Sequence, residues 1–289
     1  MANESTTAVL SELLPSIVAE AMFQAQEQSI MRGLVKNYTM GANNGKTITV
    51  PIWDNIAAAD IAEGTDLTNT ELNTTSAVLT VSEVGVMATV TDLALRTSAT
   101  NVVADAGRLM GAAIAKKIDQ DLMGLFDATT PVSSPVGFSN TIGNATTAMS
   151  AAQIFEAVAR LRQNGVSGAD IFCVVNPLVA YDMKSGLTNT FAGHAGDLSN
   201  EALRNGYVGT IAGVRVFESA NVPHTAGDSI GGIFHRDALG LAMMQDIQIE
   251  TQRDASLRAT ELVATAVYGQ GILLDKYGFA LSADSSLVN

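Results

Sequence analysis

Cysteine is almost absent from this sequence, with Cys173 the only one in 289 residues. One cysteine cannot form an internal disulfide, and no paired Cys or Cys/His spacing indicates a zinc site. Cys173 stands in the apolar run IFCVV, which predicts a buried, inert thiol. The chain also lacks an apolar run near the ~20 residues of a membrane span, and its first residues lack the positive charge of a signal peptide. We therefore expect a soluble protein made in the cytoplasm, without membrane contact.

Basic residues are scarce as well, with 16 Lys and Arg against 29 Asp and Glu and a formal net charge of −13. A protein whose main work is to bind nucleic-acid phosphates needs a basic face. The only cluster here is the pair Lys116–Lys117, so direct nucleic-acid binding is not the expected function. The hydrophobic fraction of 47% is nevertheless high enough for a large core in one or two domains.

Catalytic motifs are missing too. The stretch GANNGKT, residues 41–47, is one residue short of a phosphate-binding loop, and it precedes a predicted strand where that motif needs a helix, so we predict a turn. The three histidines, at positions 194, 224 and 235, have no metal-ligand spacing. Asp119 and Asp121 point about 200° apart on a helix, which predicts a solvated or interface face instead of an acid–base pair. We expect no enzyme activity, no cofactor and no metal.

The most unusual segment that is present is IAEGTDLTNTELNTTSA, residues 61–77. It is polar and acidic, no Lys or Arg occurs between Lys46 and Arg96, and β-rich runs flank it on both sides. A tight hairpin needs only a few turn residues, so this connection predicts a long, soluble loop that is short of hydrophobic residues. In the returning run the apolar alternation changes phase, which predicts a β-bulge near Ser82–Gly85.

The strongest helical pattern covers residues 98–128 and predicts a helix of roughly 40 Å. An amphipathic helix or helix pair is also predicted over residues 8–36. The apolar stripe of the long helix consists of Val102, Val103, Ala106, Leu109, Met110, Ala113, Ile114, Ile118, Leu122 and Leu125.

The second half of the chain mixes helices and strands. Turn-forming residues over 130–149 predict a boundary, and Ser150 with Gln153 predicts a capping box for a helix over 151–163. IFCVV predicts a buried strand, and Asn176–Pro177 predicts the start of another helix. From residue 233 onwards alternating patterns predict mainly strands.

Five stretches spread along nearly the whole sequence carry a family resemblance. They are AEGTDL, TDLALRTSATNVV, NPLVAYDMKS, GTIAGVRVFES and ATAVYGQGILLDKYGFALS. In this order, and with these elements, the chain resembles the major capsid proteins of tailed bacteriophages, which share the Hong-Kong-ninety-seven fold.

The resemblance implies an α+β fold with an N-terminal helical arm, an extended β-hairpin called the E-loop, a peripheral (P) domain with a long spine helix, and an inserted α/β axial (A) domain. The implied bounds are 1–40 for the arm, 41–53 for a P-domain strand, 54–86 for the E-loop, 87–135 for the P-domain with its spine helix, 136–239 for the A-domain and 240–289 for a β-rich return of the P-domain. The implied function is structural: the chain forms pentamers and hexamers of an icosahedral shell that encloses the phage genome.

By the same resemblance the E-loop lies across a neighbouring copy of the chain. Its candidate contact residues are the acids Asp60, Glu63, Asp66 and Glu71. The candidate partner face on the neighbour consists of Arg108, Lys116, Lys117, Arg253 and Arg258. Some relatives join neighbours covalently through a Lys in the E-loop, and since this E-loop has none, we expect no such bond.

The implied partners are further copies of the chain, a separate scaffolding protein, a portal, and encapsidated DNA held by weak nonspecific contacts. The implied location is the virion, with assembly in the host cytoplasm. An encapsulin-like cellular compartment is the alternative, although the long E-loop favours the phage shell. A soluble α/β enzyme is a third hypothesis, and it would need a convergent polar site.

Overall fold

The computed structural model describes residues 4–5, 29–41, 45–56, 58, 60, 63–64, 66, 69, 71–98, 102–127, 137–166, 168–190, 207–225 and 227–287. The helices are α1 Met31–Leu34, α2 Asp92–Thr97, α3 Val102–Met123, α4 Ala151–Gln163 and α5 Pro177–Thr190. The strands are β1 Glu4–Ser5, β2 Lys36–Thr39, β3 Thr47–Trp53, β4 Thr74–Thr80, β5 Ser82–Thr91, β6 Thr141–Ala148, β7 Ile171–Val175, β8 Tyr207–Ile211, β9 Val214–Glu218, β10 His224–Thr225, β11 Asp228–His235, β12 Leu239–Asp254, β13 Ala259–Ile272 and β14 Gly278–Asp284.

These strands form two large sheets and one separate hairpin. The first sheet has five strands in the order β1-β5-β13-β12-β2. The second has seven, in the order β6-β14-β11-β7-β9-β8, with β10 paired to β11. Within the described ranges, strands β3 and β4 pair only with each other, from Thr47 opposite Thr80 to Trp53 opposite Thr74. Pro51, which has no amide hydrogen to donate to a second neighbour, is tolerated in β3 because the strand is an edge.

Helix α3 packs on one face of the five-stranded sheet, as its apolar stripe predicts. Residues spaced by four or eight positions are buried, among them Met110, Ile114, Ile118 and Leu122. The helix has 22 residues and is therefore about 33 Å long, shorter than predicted. Leu109 is 40% exposed, and Ala113 is exposed too. The predicted stripe was thus wider than the strip that the sheet covers.

The strand that returns from the hairpin contains no β-bulge, so that prediction was wrong. Strand β5 pairs with β13 without a register shift from Ser82 to Thr91. The phase changes because the chain leaves the hairpin at Val81 and enters a different sheet. The Val81 amide donates to the Lys46 carbonyl at 2.9 Å, which closes the base of the hairpin at this point.

The seven-stranded sheet is covered on one face by α4 and α5. The predicted capping box of Ser150 and Gln153 begins α4, and Pro177 begins α5, which confirms both predictions. Strand β7 is buried throughout, which confirms the predicted burial of Cys173, and burial raises the pKa of its thiol to about 12.

The opposite face of this sheet meets aromatic rings from the turn that follows α3. Phe126 lies 5.6 Å from Phe234 and 6.4 Å from Phe138 between ring centroids. A side chain at Gly232 would clash with the Phe126 ring, since a Cβ there would lie 2.4 Å from it. These contacts join α3 to the second sheet as one packed core.

Three further predictions differ from the structure or fall partly outside the described residues. The helix predicted over residues 8–36 lies mostly outside the described residues; α1 is helical, but the chain from residue 36 is strand β2, which runs parallel to β12. Strand β14 pairs with β11 and β6, although the sequence-based division grouped it with β12 and β13. The predicted turn over 41–47 is described only in part, and Gly45 there has a φ of +80°.

Candidate intersubunit surfaces

The hairpin of β3 and β4 has an inner face that packs on its own subunit. Ile48, Val50 and Ala77 contact a small apolar cluster that includes Leu79 and Leu273. Side chains alternate between the two faces of a strand, so the odd positions of β3 and the even positions of β4 point the other way. The inner face therefore holds the base of the hairpin against the rest of the chain.

The outer face and far end of the hairpin expose large apolar side chains. Trp53 is 66% exposed, Leu72 64%, Ile56 56% and Val78 55%. The ladder continues past the strands, because the Asp54 amide donates to the Asn73 carbonyl at 3.1 Å. The segment that joins β3 to β4 was predicted to be short of hydrophobic residues, but exposed apolar side chains occur near both of its ends. A group of exposed apolar residues such as this marks an interaction surface.

The four predicted contact acids of the E-loop, Asp60, Glu63, Asp66 and Glu71, are all exposed. Within the part of the chain that the structure describes, none of them forms an ion pair. Their contact with a neighbouring copy is not tested in a single chain and stays a prediction.

Two of the predicted partner residues, Arg253 and Arg258, lie together at the turn between β12 and β13. Arg253 donates two hydrogen bonds to Asp92, at 2.6 and 2.7 Å, and these bonds hold the pKa of the Asp92 carboxyl below its usual range. The Arg258 carbonyl accepts from the Asp92 amide at 2.8 Å. Arg96, which the prediction did not include, also lies near Asp92.

The other three predicted partner residues, Arg108, Lys116 and Lys117, lie on the exposed side of α3. Lys117 donates to Asp121 at 2.5 Å. Asp121 also accepts from the Tyr268 hydroxyl at 2.7 Å, and burial together with this bond raises the pKa of the Tyr268 phenol. The structure thus divides the predicted partner face between two separate elements.

Asp119, which was predicted to lie on a solvated or interface face of the helix, is instead buried within its own subunit. Its Oδ1 accepts from the Met31 amide at 2.8 Å, the Ile30 amide at 3.0 Å and the Ser29 hydroxyl at 3.1 Å. Its Oδ2 accepts from the Asn221 side-chain amide at 3.0 Å. One carboxylate therefore joins α3, the start of α1 and the loop after β9.

The described residues contain no group of three His, Cys, Asp or Glu side chains that could hold a metal ion. His194 lies outside the described residues, and the Nδ1 of His235 accepts from the Asp237 amide at 3.2 Å. Among the described helices, none is long and apolar enough to cross a membrane.

Comparison with known proteins supports the predicted role of the chain as a subunit of a shell. A family model described as "Phage capsid protein" matches residues 74–282. No curated protein sequence matches the chain. The encapsulin-like alternative is not favoured by these findings.

Solved phage capsid structures have the same fold. The capsid structure of the cyanophage P-SCSP1u is 20% identical, with 96% of this chain and 95% of that chain covered and a TM-score of 0.74. A structure from Mycobacterium phage Che8 is 20% identical, with 91% and 94% covered and a TM-score of 0.73. The capsid of Ralstonia phage GP4 is 12% identical, with 94% and 95% covered and a TM-score of 0.74. The chain belongs to the phage capsid protein family and has the structural role of a major capsid protein, which forms the virion shell by self-assembly.

Proposed function

We propose that the chain forms pentamers and hexamers of an icosahedral shell, and that the hairpin of β3 and β4 is the arm by which each subunit holds its neighbour. The observation that supports this role is the exposed outer face of the hairpin, which carries Trp53 and Val78, while its inner face is already covered by its own subunit. In a self-assembling shell every subunit has neighbouring copies of the same chain, and one of these copies covers the exposed outer face of the hairpin.

The charge of the chain supports a passive role toward the genome. With a net charge of −13, contacts to DNA are weak and nonspecific, and the closed shell confines the DNA more than it binds it. A separate scaffolding protein and a portal complete the assembly, which takes place in the host cytoplasm.

Replacing residues 55–72 with Asn-Gly, a two-residue turn that closes the hydrogen-bonded pair of Asp54 and Asn73, tests the role of the hairpin. We expect a folded, soluble subunit that fails to form closed shells, because the inner apolar face remains and the reaching segment is lost. Circular dichroism checks the fold, and negative-stain microscopy checks assembly. The control replaces the same segment with an equal number of Gly and Ser residues. It keeps the length of the segment and changes its sequence, so it shows which of the two is needed for assembly. Closed particles of normal size from the Asn-Gly variant would show that the hairpin is not the arm.

We also expect the subunits to remain non-covalently associated, since the E-loop contains no Lys. Boiling mature particles in denaturing detergent with reductant should release one band near the 30.1 kDa mass of the chain. A ladder of multimers in that gel would contradict the expectation.

A further inference from the structure

The far end of the hairpin and the segment that connects its strands carry exposed apolar side chains and exposed acids. Trp53 and Thr74 are paired across the hairpin. Leu72, two residues before Thr74 in the sequence, therefore lies diagonally from Trp53 on the same face. Both side chains are about two thirds exposed, and Ile56, three residues after Trp53, is exposed as well. The exposed acids of this segment are Asp54, Asp60, Glu63, Asp66 and Glu71.

Helix α2 carries a patch of the opposite sign. Leu93 of this helix is 60% exposed, and the exposed residues Arg96, Arg253 and Arg258 lower the pKa of the Asp92 carboxyl, the hydrogen bond from Arg253 most of all. Arg253 pairs with Asp92 through its guanidinium, and the Arg258 carbonyl accepts from the Asp92 amide, so both arginines lie at the start of α2. Together with Arg96 they outnumber the two carboxylates there, Asp92 and Asp254. The two bonds from Arg253 to Asp92 hold this guanidinium in place before any partner arrives.

The outward position of Leu93 follows from the way α2 is fixed. The Thr91 hydroxyl caps the helix by accepting from the Ala94 amide at 3.3 Å, and Ala94 is only 1% exposed. With Ala94 held against the core, the preceding residue projects away from it. Leu93 therefore remains in solvent in the single chain, as does Trp53.

We propose that the outer face of the hairpin end docks on the Leu93 face of α2 in a second copy, with Trp53 as the apolar anchor. This inference rests on the proposed role of the hairpin as the intersubunit arm. An apolar centre with charged residues around it is the usual anatomy of a protein interface. Here the hairpin end carries exposed acids and no Lys or Arg, while arginine is in excess near α2, so the charges of the two surfaces are complementary. Tryptophan and arginine are also the residues that contribute most to binding at such surfaces.

Engineered cysteine pairs test which surface receives the hairpin. The only native cysteine is buried with a raised pKa, so it reacts little with added reagents. Leu72→Cys combined with Leu93→Cys should give multimers when assembled particles are treated with a short bifunctional thiol reagent. Leu72→Cys combined with Leu109→Cys, on the exposed side of α3, is the matched control and should give far less. The reverse pattern, or no multimers from either pair, overturns the docking site.

The single tryptophan supplies an independent readout. On assembly the fluorescence of Trp53 should shift to shorter wavelength and become protected from quenching by acrylamide. An unchanged emission maximum and unchanged quenching in assembled particles contradict its role as anchor. If the Asn-Gly hairpin variant fails to close shells while Trp53 stays exposed in wild-type particles, the hairpin is still the arm and only the anchor is wrong.

Discussion

Asp119→Ala should destabilise the unassembled subunit by about 2–5 kcal/mol, because it removes the acceptor of four hydrogen bonds at once. The amide of Met31 and the side-chain amide of Asn221 are buried where they donate to this carboxylate. A buried donor left without an acceptor costs about 1–3 kcal/mol. Urea denaturation of the unassembled subunit measures the change in the free energy of unfolding.

Two further variants separate the effect of this carboxylate from that of packing. Ser29→Ala removes one partly exposed bond and should cost at most about 1 kcal/mol. Asp119→Asn keeps the size of the side chain but turns an amide NH₂ toward other donors, so it should remain clearly destabilised. An unfolding free energy for Asp119→Ala equal to that of the wild type would show that this junction contributes nothing to stability.

Ile114→Asp should prevent the chain from folding to a soluble subunit. Ile114 is 2% exposed between α3 and the five-stranded sheet, and a carboxylate there would be buried without a cationic partner, at a cost of several kcal/mol. The yield of soluble protein and its circular dichroism spectrum measure the effect.

The neighbouring residue provides the matched control for this variant. Ala113 is exposed on the same helix, so Ala113→Asp should remain soluble and folded. If Ile114→Asp were as soluble and as well folded as Ala113→Asp, the face of α3 that we describe as buried would be open to solvent.

The amount of the fold that can be predicted from sequence differs between elements with a local signal and elements without one. The capping box at Ser150 and the proline at position 177 are local, and both helix starts were correct. The long helix was correct in place, but its buried width was not, because periodicity does not tell how wide a strip the facing sheet covers. Leu109 shows this error.

Features that depend on contacts between distant parts of the sequence were not predicted correctly. The phase change near Val81 is visible in the sequence, but a bulge and a change of sheet produce the same pattern. The burial of Asp119 depends on Ser29 and Asn221, which are 90 and 102 positions away. Helical spacing gave one signal, since Asp119 stands three positions before Leu122, a buried residue of α3. Of the surface proposed around Leu93, Arg253 and Arg258 were among the predicted partner residues, but Leu93 and Arg96 were not, because they come from a distant segment of the sequence.

Cryo-electron microscopy of particles assembled from the purified chain tests the central claim most directly. The account predicts closed shells in which residues 53–74 of each subunit contact a second copy, with Trp53 covered. Particles in which those residues contact only their own subunit, or a purified protein that never forms capsomers or shells, would contradict it.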